Sequence, residues 1–192
     1  NNFKTTTGLR AAFFDKTLRV VAVFTYSYRM NNELKKRTVV PYSTGPGIYE
    51  TLGVPGTDDY LQEYFSGTNY LAANAYLEYE NTFAKKHYFK AMAGYNYEQK
   101  HWKGVTSKRY DLMTPDTDAI NLAMGESMSI TSNESRWRLA GFMFRLNYSY
   151  DERYLFEVNG RYDGSSKFPT YSQWGFFPSA SAAWRVSKEP WW

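Results

Sequence analysis

Neighbouring carboxylates are the residues of this chain with the most evident capacity for chemistry. Asp58-Asp59 and the pair Asp116 and Asp118 could offer oxygen ligands to Ca²⁺, which prefers a shell of several oxygens. Neither pair belongs to a complete ligand register, so we predict no metal site and leave calcium binding by these loops open. Glu78 and Glu80 share one side of an extended segment and could act as a pair of acids.

The remaining chemical motifs are incomplete. His87 and His101 are the only histidines, and the absence of cysteine removes thiolate metal sites and a Cys-His nucleophile. Gly45-Pro46-Gly47 lacks the lysine and the serine or threonine that follow in a phosphate-binding loop. We therefore predict that the chain is not an enzyme and that it carries no cofactor.

Alternation of apolar and polar residues is the strongest structural signal. It predicts seven β-strands, because successive side chains of a strand point to opposite faces. The strands are expected at about residues 3–14, 18–30, 69–80, 87–100, 134–150, 153–162 and 173–186. Short connections at Asp15-Lys16, 81–86 and Asp151-Glu152 alternate with long irregular connections at 31–66, 101–133 and 163–173.

The composition combines features that few soluble domains need. Aromatic residues make up 19% of the chain and charged residues 22%. Outer-membrane barrels require both, because each strand contacts lipid on one side and water on the other. No apolar run reaches the roughly 18 residues of a membrane-spanning helix, so only strands could cross a bilayer. The net charge of +4 is modest and its basic clusters fall in predicted loops and turns, so no nucleic-acid partner is expected.

Position along the strands distinguishes a membrane wall from a soluble sandwich with the same alternation. Aromatic residues gather at the two interfaces of a bilayer, and short turns of bacterial barrels face the periplasm. The residues that we assign to lipid-facing aromatic girdles are Tyr26, Tyr28, Tyr95, Tyr97, Tyr148, Tyr150, Tyr154, Tyr162 and Trp184. The residues that we assign to the lumen-facing side, together with Glu78 and Glu80, are Arg10, Arg19, Lys90, Glu98, Arg145, Glu157 and Arg161.

Three motifs in the C-terminal third carry a family resemblance. They run from Arg145 to Asp151, from Arg161 to Phe168 and from Trp174 to Arg185. With them, the chain resembles the barrel of SusC/RagA-type TonB-dependent outer-membrane transporters of Bacteroidetes. The resemblance implies an all-β, antiparallel transmembrane barrel of about 22 strands, of which this chain would be a segment of about seven. It also implies an N-terminal plug, energy coupling through TonB, and a SusD-like surface lipoprotein as a lid.

Residues 1–192 are interpreted as a middle portion of such a barrel, without plug, signal peptide or closing strand. The expected partners are membrane lipid, the remainder of the barrel and the plug, and TonB through the missing N-terminal region. The implied function is uptake of glycan oligosaccharides or peptides across the outer membrane of a Gram-negative cell. A passive outer-membrane pore and a soluble carbohydrate-binding β-domain remain alternatives. The predicted loop aromatics that could stack on sugars or pack against the lid are Tyr42, Tyr49, Tyr60, Tyr64, Phe65 and Trp102.

Overall fold

The computed structural model describes residues 1–15, 17–116 and 118–191, and its regular structure is β-sheet with three single 3-10 turns. The nine strands are β1 Asn2–Phe13, β2 Leu18–Arg37, β3 Val40–Gly45, β4 Ile48–Leu52, β5 Tyr60–Phe83, β6 His87–Tyr110, β7 Met128–Tyr150, β8 Tyr154–Ser165 and β9 Trp174–Trp184. A seven-stranded antiparallel sheet has the order β1-β2-β5-β6-β7-β8-β9, and β3 and β4 form a separate hairpin. Within the described residues, no helix is long and apolar enough to cross a membrane.

The prediction of seven sheet strands is confirmed, but the predicted long connections are largely wrong. β2 continues to Arg37, β5 begins at Tyr60, β6 continues to Tyr110 and β7 begins at Met128. The predicted loop at 31–66 therefore consists mostly of strand, and the predicted loop at 101–133 is about half strand. These extensions carry no alternation signal, because segments such as 31–37 have almost no apolar face and are held by backbone pairing and by the ion pairs of Lys36 and Arg37.

One of two compact units comprises Asn1–Phe3, Tyr28–Thr68 and His101–Ser135. It contains the β3–β4 hairpin, whose register runs from Val40 opposite Leu52 to Gly45 opposite Ile48. It also contains a turn in which the buried Asp59 carboxylate accepts hydrogen bonds from the backbone N–H groups of Gly56 at 2.5 Å and Leu112 at 3.0 Å. Asp59 thus fixes this turn through two otherwise unpaired backbone donors.

The other unit comprises Lys4–Ser27, Asn69–Lys100 and Arg136–Trp192. In this unit β8 lies between β7 and β9 in the sheet. Its residues pair without interruption with β7, from Leu139 opposite Ser165 to Tyr150 opposite Tyr154, and with β9 up to Trp184 opposite Tyr154. Because directly paired residues point to the same side, this register fixes which side chains share a face.

Two of the short connections are tight two-residue turns. Ala84 and Lys85 have φ values of 48° and 57°, and Asp151 and Glu152 have 51° and 53°. Positive φ at both central residues is the type I′ geometry, whose twist matches that of the flanking strands. At the predicted Asp15-Lys16 turn, Asp15 also has a positive φ of 52°, and Lys16 lies outside the described residues.

The chain buries very little apolar surface of its own. Among the described residues, the buried apolar side chains are Val21, Leu61, Ala72 and Ala123. A folded monomeric protein of this mass exposes about 9,400 Å² of surface. The chain exposes 13561 Å², which means that surface is left to be covered by something other than the chain itself.

Lys85→Gly should stabilise the protein by about 0.5–1 kcal/mol, because glycine adopts a positive φ without the clash that a Cβ makes. The measurement is the free energy of unfolding of the full-length protein in detergent. Lys86→Gly is the matched control, because Lys86 does not have a positive φ and only loses its side chain. Equal effects of the two substitutions would contradict the turn geometry.

Glu152 should make stability depend on acid pH. Its carboxylate accepts a hydrogen bond from the Lys188 ammonium and lies 3.7 Å from the Arg185 guanidinium, and these cations lower the pKa of Glu152. A lowered pKa in the folded state gives a contribution that is present above the ordinary glutamate pKa and is lost as pH falls through the lowered value. Lys188→Met should therefore reduce the free energy of unfolding near neutral pH and have no effect at about pH 2. The idea fails if the reduction is the same at both pH values.

Candidate functional site

Cross-strand rows on β7, β8 and β9 separate apolar from polar residues. Each row holds three directly paired side chains that share a face. The apolar rows are Phe142-Tyr162-Phe176, Leu146-Val158-Ala180, Tyr148-Phe156-Ala182 and Tyr150-Tyr154-Trp184. The polar rows on the opposite face include Arg145-Asn159-Ser179 and Asn147-Glu157-Ser181.

Exposure along β8 is the reverse of that in a soluble protein. Phe156 is 50% exposed and Val158 is 45% exposed, whereas Glu157 and Asn159, which follow them, are partly buried. Monomeric soluble proteins rarely leave a contiguous apolar face of this kind in water. The three strands therefore present an uncovered apolar surface, and on β8 the polar residues Glu157 and Asn159 are less exposed than the apolar residues that precede them.

Stacked aromatic pairs mark the two ends of the apolar face. At one end the rings of Tyr154 and Trp184 lie 6.4 Å apart with an interplanar angle of 11°, and at the other Tyr162 and Trp174 lie 4.9 Å apart with an angle of 17°. The eleven residues from Trp174 to Trp184 span about 33 Å along the strand, or about 25 Å across a bilayer at a tilt of about 40°. That height matches the apolar band of outer-membrane barrels.

Glycines on β8 make room for these aromatic rings. A Cβ at Gly160 would lie 2.6 Å from the Phe144 ring, and a Cβ at Gly164 would lie 2.7 Å from the Trp174 ring. Real Cβ atoms do not approach that closely, so any larger residue would displace the ring. Gly164 in the Arg-Tyr-Asp-Gly motif therefore leaves the space that the Trp174 ring occupies when it stacks on Tyr162.

Several predicted girdle residues contact other aromatic residues of the same unit. The Tyr95 ring lies 5.0 Å from Phe142, and His87 Nδ1 lies 2.8 Å from the Tyr148 hydroxyl. The His87 ring also lies 5.1 Å from Tyr150. The structure thus brings Tyr95, Tyr148 and Tyr150 together with neighbouring aromatic residues on β6 and β7.

Two other predicted girdle tyrosines, Tyr26 and Tyr97, make hydrogen bonds at their hydroxyls. The Tyr26 hydroxyl donates to Asn69 at 3.0 Å, and the Tyr97 hydroxyl donates to Gln99 at 3.0 Å. The Tyr28 hydroxyl lies beside Gly67. A ring with an apolar body and a hydrogen-bonded tip is the arrangement expected at the boundary between lipid and water.

An ion-pair network joins β2, β5 and β6 on the polar face. Arg19 contacts Glu78 at 3.3 Å and Glu80 at 2.5 Å, and Lys90 lies 3.7 Å and 3.9 Å from the same two carboxylates. The Tyr88 hydroxyl also donates to Glu80 at 3.1 Å. Two bases thus neutralise two acids, which assigns Glu78 and Glu80 to charge pairing rather than to acid catalysis.

Further predicted lumen residues take part in separate polar clusters. The Arg161 guanidinium donates twice to Asp163 at 2.9 Å and once to Asn96 at 3.3 Å. Asp163 lies opposite Gly141, where a Cβ would collide with its carboxylate. Glu98 accepts from the Tyr70 hydroxyl at 3.1 Å, and Glu157 accepts from Asn159 at 3.0 Å.

Arg10 and Arg145 are exposed on their strands and join none of these clusters.

The sequence pattern does not indicate Glu189, which contacts the stacked pair Tyr154 and Trp184. Glu189 accepts hydrogen bonds at 3.1 Å from both the Tyr154 hydroxyl and the Trp184 indole, and its carboxylate lies 3.4 Å from Arg153. It follows the last strand in a segment without any periodic pattern, so no local signal indicated it.

Neither acidic pair belongs to a larger group of acidic, histidine or cysteine ligands in the part of the chain that the structure describes. No group of three or more potential ligands occurs among residues 1–15, 17–116 and 118–191. The Asp58 carboxylate accepts from the backbone N–H of Val54 at 2.9 Å, and Asp118 contacts Lys36 at 2.7 Å. These carboxylates are therefore committed to backbone donors and to a lysine.

Comparison with characterised sequences gives related proteins from two bacteria. The chain is 33% identical over 128 residues to the TonB-dependent receptor P3 of Formosa agariphila. The aligned region covers 66% of this chain and 13% of that protein. It is 30% identical over 152 residues to the TonB-dependent receptor SusC of Bacteroides thetaiotaomicron, with 79% and 14% covered. The chain thus spans about one seventh of the length of these relatives.

Solved structures agree in fold. The RagAB peptide transporter matches 98% of this chain and 20% of its own chain, with a TM-score of 0.81 and 15% sequence identity. The RagAB peptide importer in its open-open state gives a TM-score of 0.78 with 18% sequence identity. The match covers 94% of this chain and 19% of that chain. The family model described as TonB dependent receptor-like, beta-barrel matches residues 1–192. The chain therefore belongs to the TonB-dependent receptor β-barrel family, of the SusC/RagA type, and is a segment of a larger barrel.

Proposed function

We propose that this chain is part of the wall of an outer-membrane active transporter that takes up glycan oligosaccharides or peptides in a TonB-dependent manner. The observation that carries this proposal is the exposed apolar face of β7, β8 and β9. It has an aliphatic middle row, Leu146-Val158-Ala180, between aromatic ends about 25 Å apart across a bilayer. Acyl chains cover such a face without requiring a protein partner.

The polar face fits a hydrated lumen. The network of Arg19, Glu78, Glu80 and Lys90 neutralises charge across three strands while its members remain partly exposed. Charges on the lipid side of a barrel are costly, whereas the interior tolerates them because water and other polar groups solvate them. The two faces together therefore support a strand wall between lipid and water.

Family membership favours active transport over the alternatives. A passive pore would share the apolar face, and a soluble carbohydrate-binding domain would need that face to be buried. The proposed partners are membrane lipid, the remaining strands and plug of the same protein, TonB through the N-terminal region, and a SusD-like surface lipoprotein. The proposed role is mechanical and selective, with no catalytic step. The proposed location is the outer membrane of a Gram-negative cell of the Bacteroidetes type.

Ala180→Arg should destabilise the full-length protein in lipid by about 2–4 kcal/mol, because it places a charge in the middle row of the apolar face. Ser181→Arg is the matched control, because its side chain shares the other face with Glu157 and should change stability by less than about 1 kcal/mol. Unfolding in urea from lipid vesicles measures both. A larger loss for Ser181→Arg would reverse the proposed assignment of the faces.

Energy dependence separates an active transporter from a passive pore. Cells that produce the full-length protein should lose uptake of a fluorescent oligosaccharide or peptide substrate after a protonophore collapses the inner-membrane potential. A passive pore would continue to conduct down the concentration gradient. Unchanged uptake in the treated cells would therefore overturn the TonB-dependent mechanism while leaving the barrel wall intact.

A further inference from the structure

An aromatic patch lies on β5 and β6 in the unit that contains Tyr28–Thr68 and His101–Ser135. Gly104 is buried, and a Cβ there would lie 2.7 Å from the Trp102 ring and 3.5 Å from the Tyr64 ring. The missing side chain at Gly104 allows both rings to approach the backbone of β6. Trp102 and Tyr64 remain partly exposed, so a ligand can reach their outer surfaces.

A lysine is held between two further rings of the same strands. The rings of Tyr60 and Tyr110 lie 6.0 Å apart in an edge arrangement, and the Lys108 ammonium lies 3.8 Å and 4.4 Å from their centroids. Within the described part of the chain, Lys108 forms no ion pair with a carboxylate. Its ammonium therefore keeps hydrogen-bond donors for an acceptor outside the protein.

These six residues, which we name the Lys108 patch, share one face by strand alternation. Positions 60 and 64 on β5 and positions 102, 104, 108 and 110 on β6 are each an even number of residues apart. Gly104 and Lys108 are separated by about 13 Å at roughly 3.3 Å per residue. A ligand that contacts both ends must therefore be longer than one sugar ring.

The surroundings of the patch select the kind of ligand. β5 and β6 are internal strands with a neighbour on each side, so their backbone N–H and C=O groups are used by the sheet. Peptide binding by strand addition needs a free strand edge, which the patch does not offer. Flat ring surfaces suit the apolar faces of sugar rings, and the unpaired ammonium of Lys108 suits a carboxylate or sulfate group.

We propose that the Lys108 patch is a binding subsite for an acidic oligosaccharide, which stacks on Trp102 and Tyr64 and places a negative group on Lys108. The inference rests on the proposed role in uptake and narrows its substrate to saccharides that carry carboxylate or sulfate groups. Tyr60 and Tyr110 hold the ammonium in place, so its position is fixed before the ligand binds.

Calorimetric titration of the purified full-length protein in detergent tests the proposal. The probes are tetragalacturonate, a sulfated carrageenan tetrasaccharide, methyl-esterified tetragalacturonate and tetraglutamate. At least one of the two acidic saccharides should bind, and Lys108→Gln should weaken that binding by about tenfold or more, the loss expected for one charge-assisted hydrogen bond. Trp102→Ala should weaken it as well.

Lys103→Gln is the matched control, because it removes the same charge from the neighbouring, exposed strand position of opposite parity. It should leave binding unchanged, and circular dichroism should show equal β-sheet content in all variants. Binding of neither acidic saccharide, or equal effects of the two lysine substitutions, would overturn the proposal. Preferential binding of tetraglutamate would instead make the patch an acidic-peptide surface. Titration in detergent measures binding without an energised membrane. A negative binding result would therefore contradict the Lys108 patch alone, whereas a negative uptake result would contradict TonB-dependent transport.

Discussion

The requirement that the apolar face of the sheet leave contact with water governs the rest of this structure. Phe142, Phe156 and Trp184 are each at least half exposed, and the chain has almost no buried apolar side chains of its own among the described residues. Removing apolar surface from water contributes about 25 cal/mol per Å², so a face of this size cannot remain solvated in a stable protein. The proposed bilayer would cover it without a specific partner, because acyl chains are fluid and nonselective.

The polar face and the glycines are consequences of that constraint. If lipid occupies one side, as proposed, the ion pairs of Arg19, Glu80 and Lys90 have to lie on the other, where charge can be hydrated. Large aromatic rings at the interfaces need space beside the backbone, and Gly160 and Gly164 provide it. The motif residues of the C-terminal third are therefore explained by ring packing and by the Arg161–Asp163 pair rather than by catalysis.

Alternation predicted the faces of β7, β8 and β9 because a two-residue period is a local property of the sequence. It did not predict the C-terminal parts of β2 and β6. In the segment 31–37 only Leu34 is apolar, so strand pairing and the ion pairs of Lys36 and Arg37, rather than an apolar face, hold it extended. Tyr60, Tyr64 and Trp102 were consequently assigned to loops, whereas they lie on strands. The contact of Glu189 with Trp184 depends on tertiary folding after the last strand, which no local pattern encodes.

Spin-label accessibility tests the central claim most directly. Val158→Cys and Asn159→Cys place nitroxides on adjacent residues of β8 that point to opposite faces. In the full-length protein in lipid vesicles, the label at residue 158 should collide mainly with dissolved oxygen, which concentrates in acyl chains. The label at residue 159 should collide mainly with a water-soluble nickel chelate. A label at residue 158 that is accessible to the nickel chelate, or shielded from both reagents, would contradict the account.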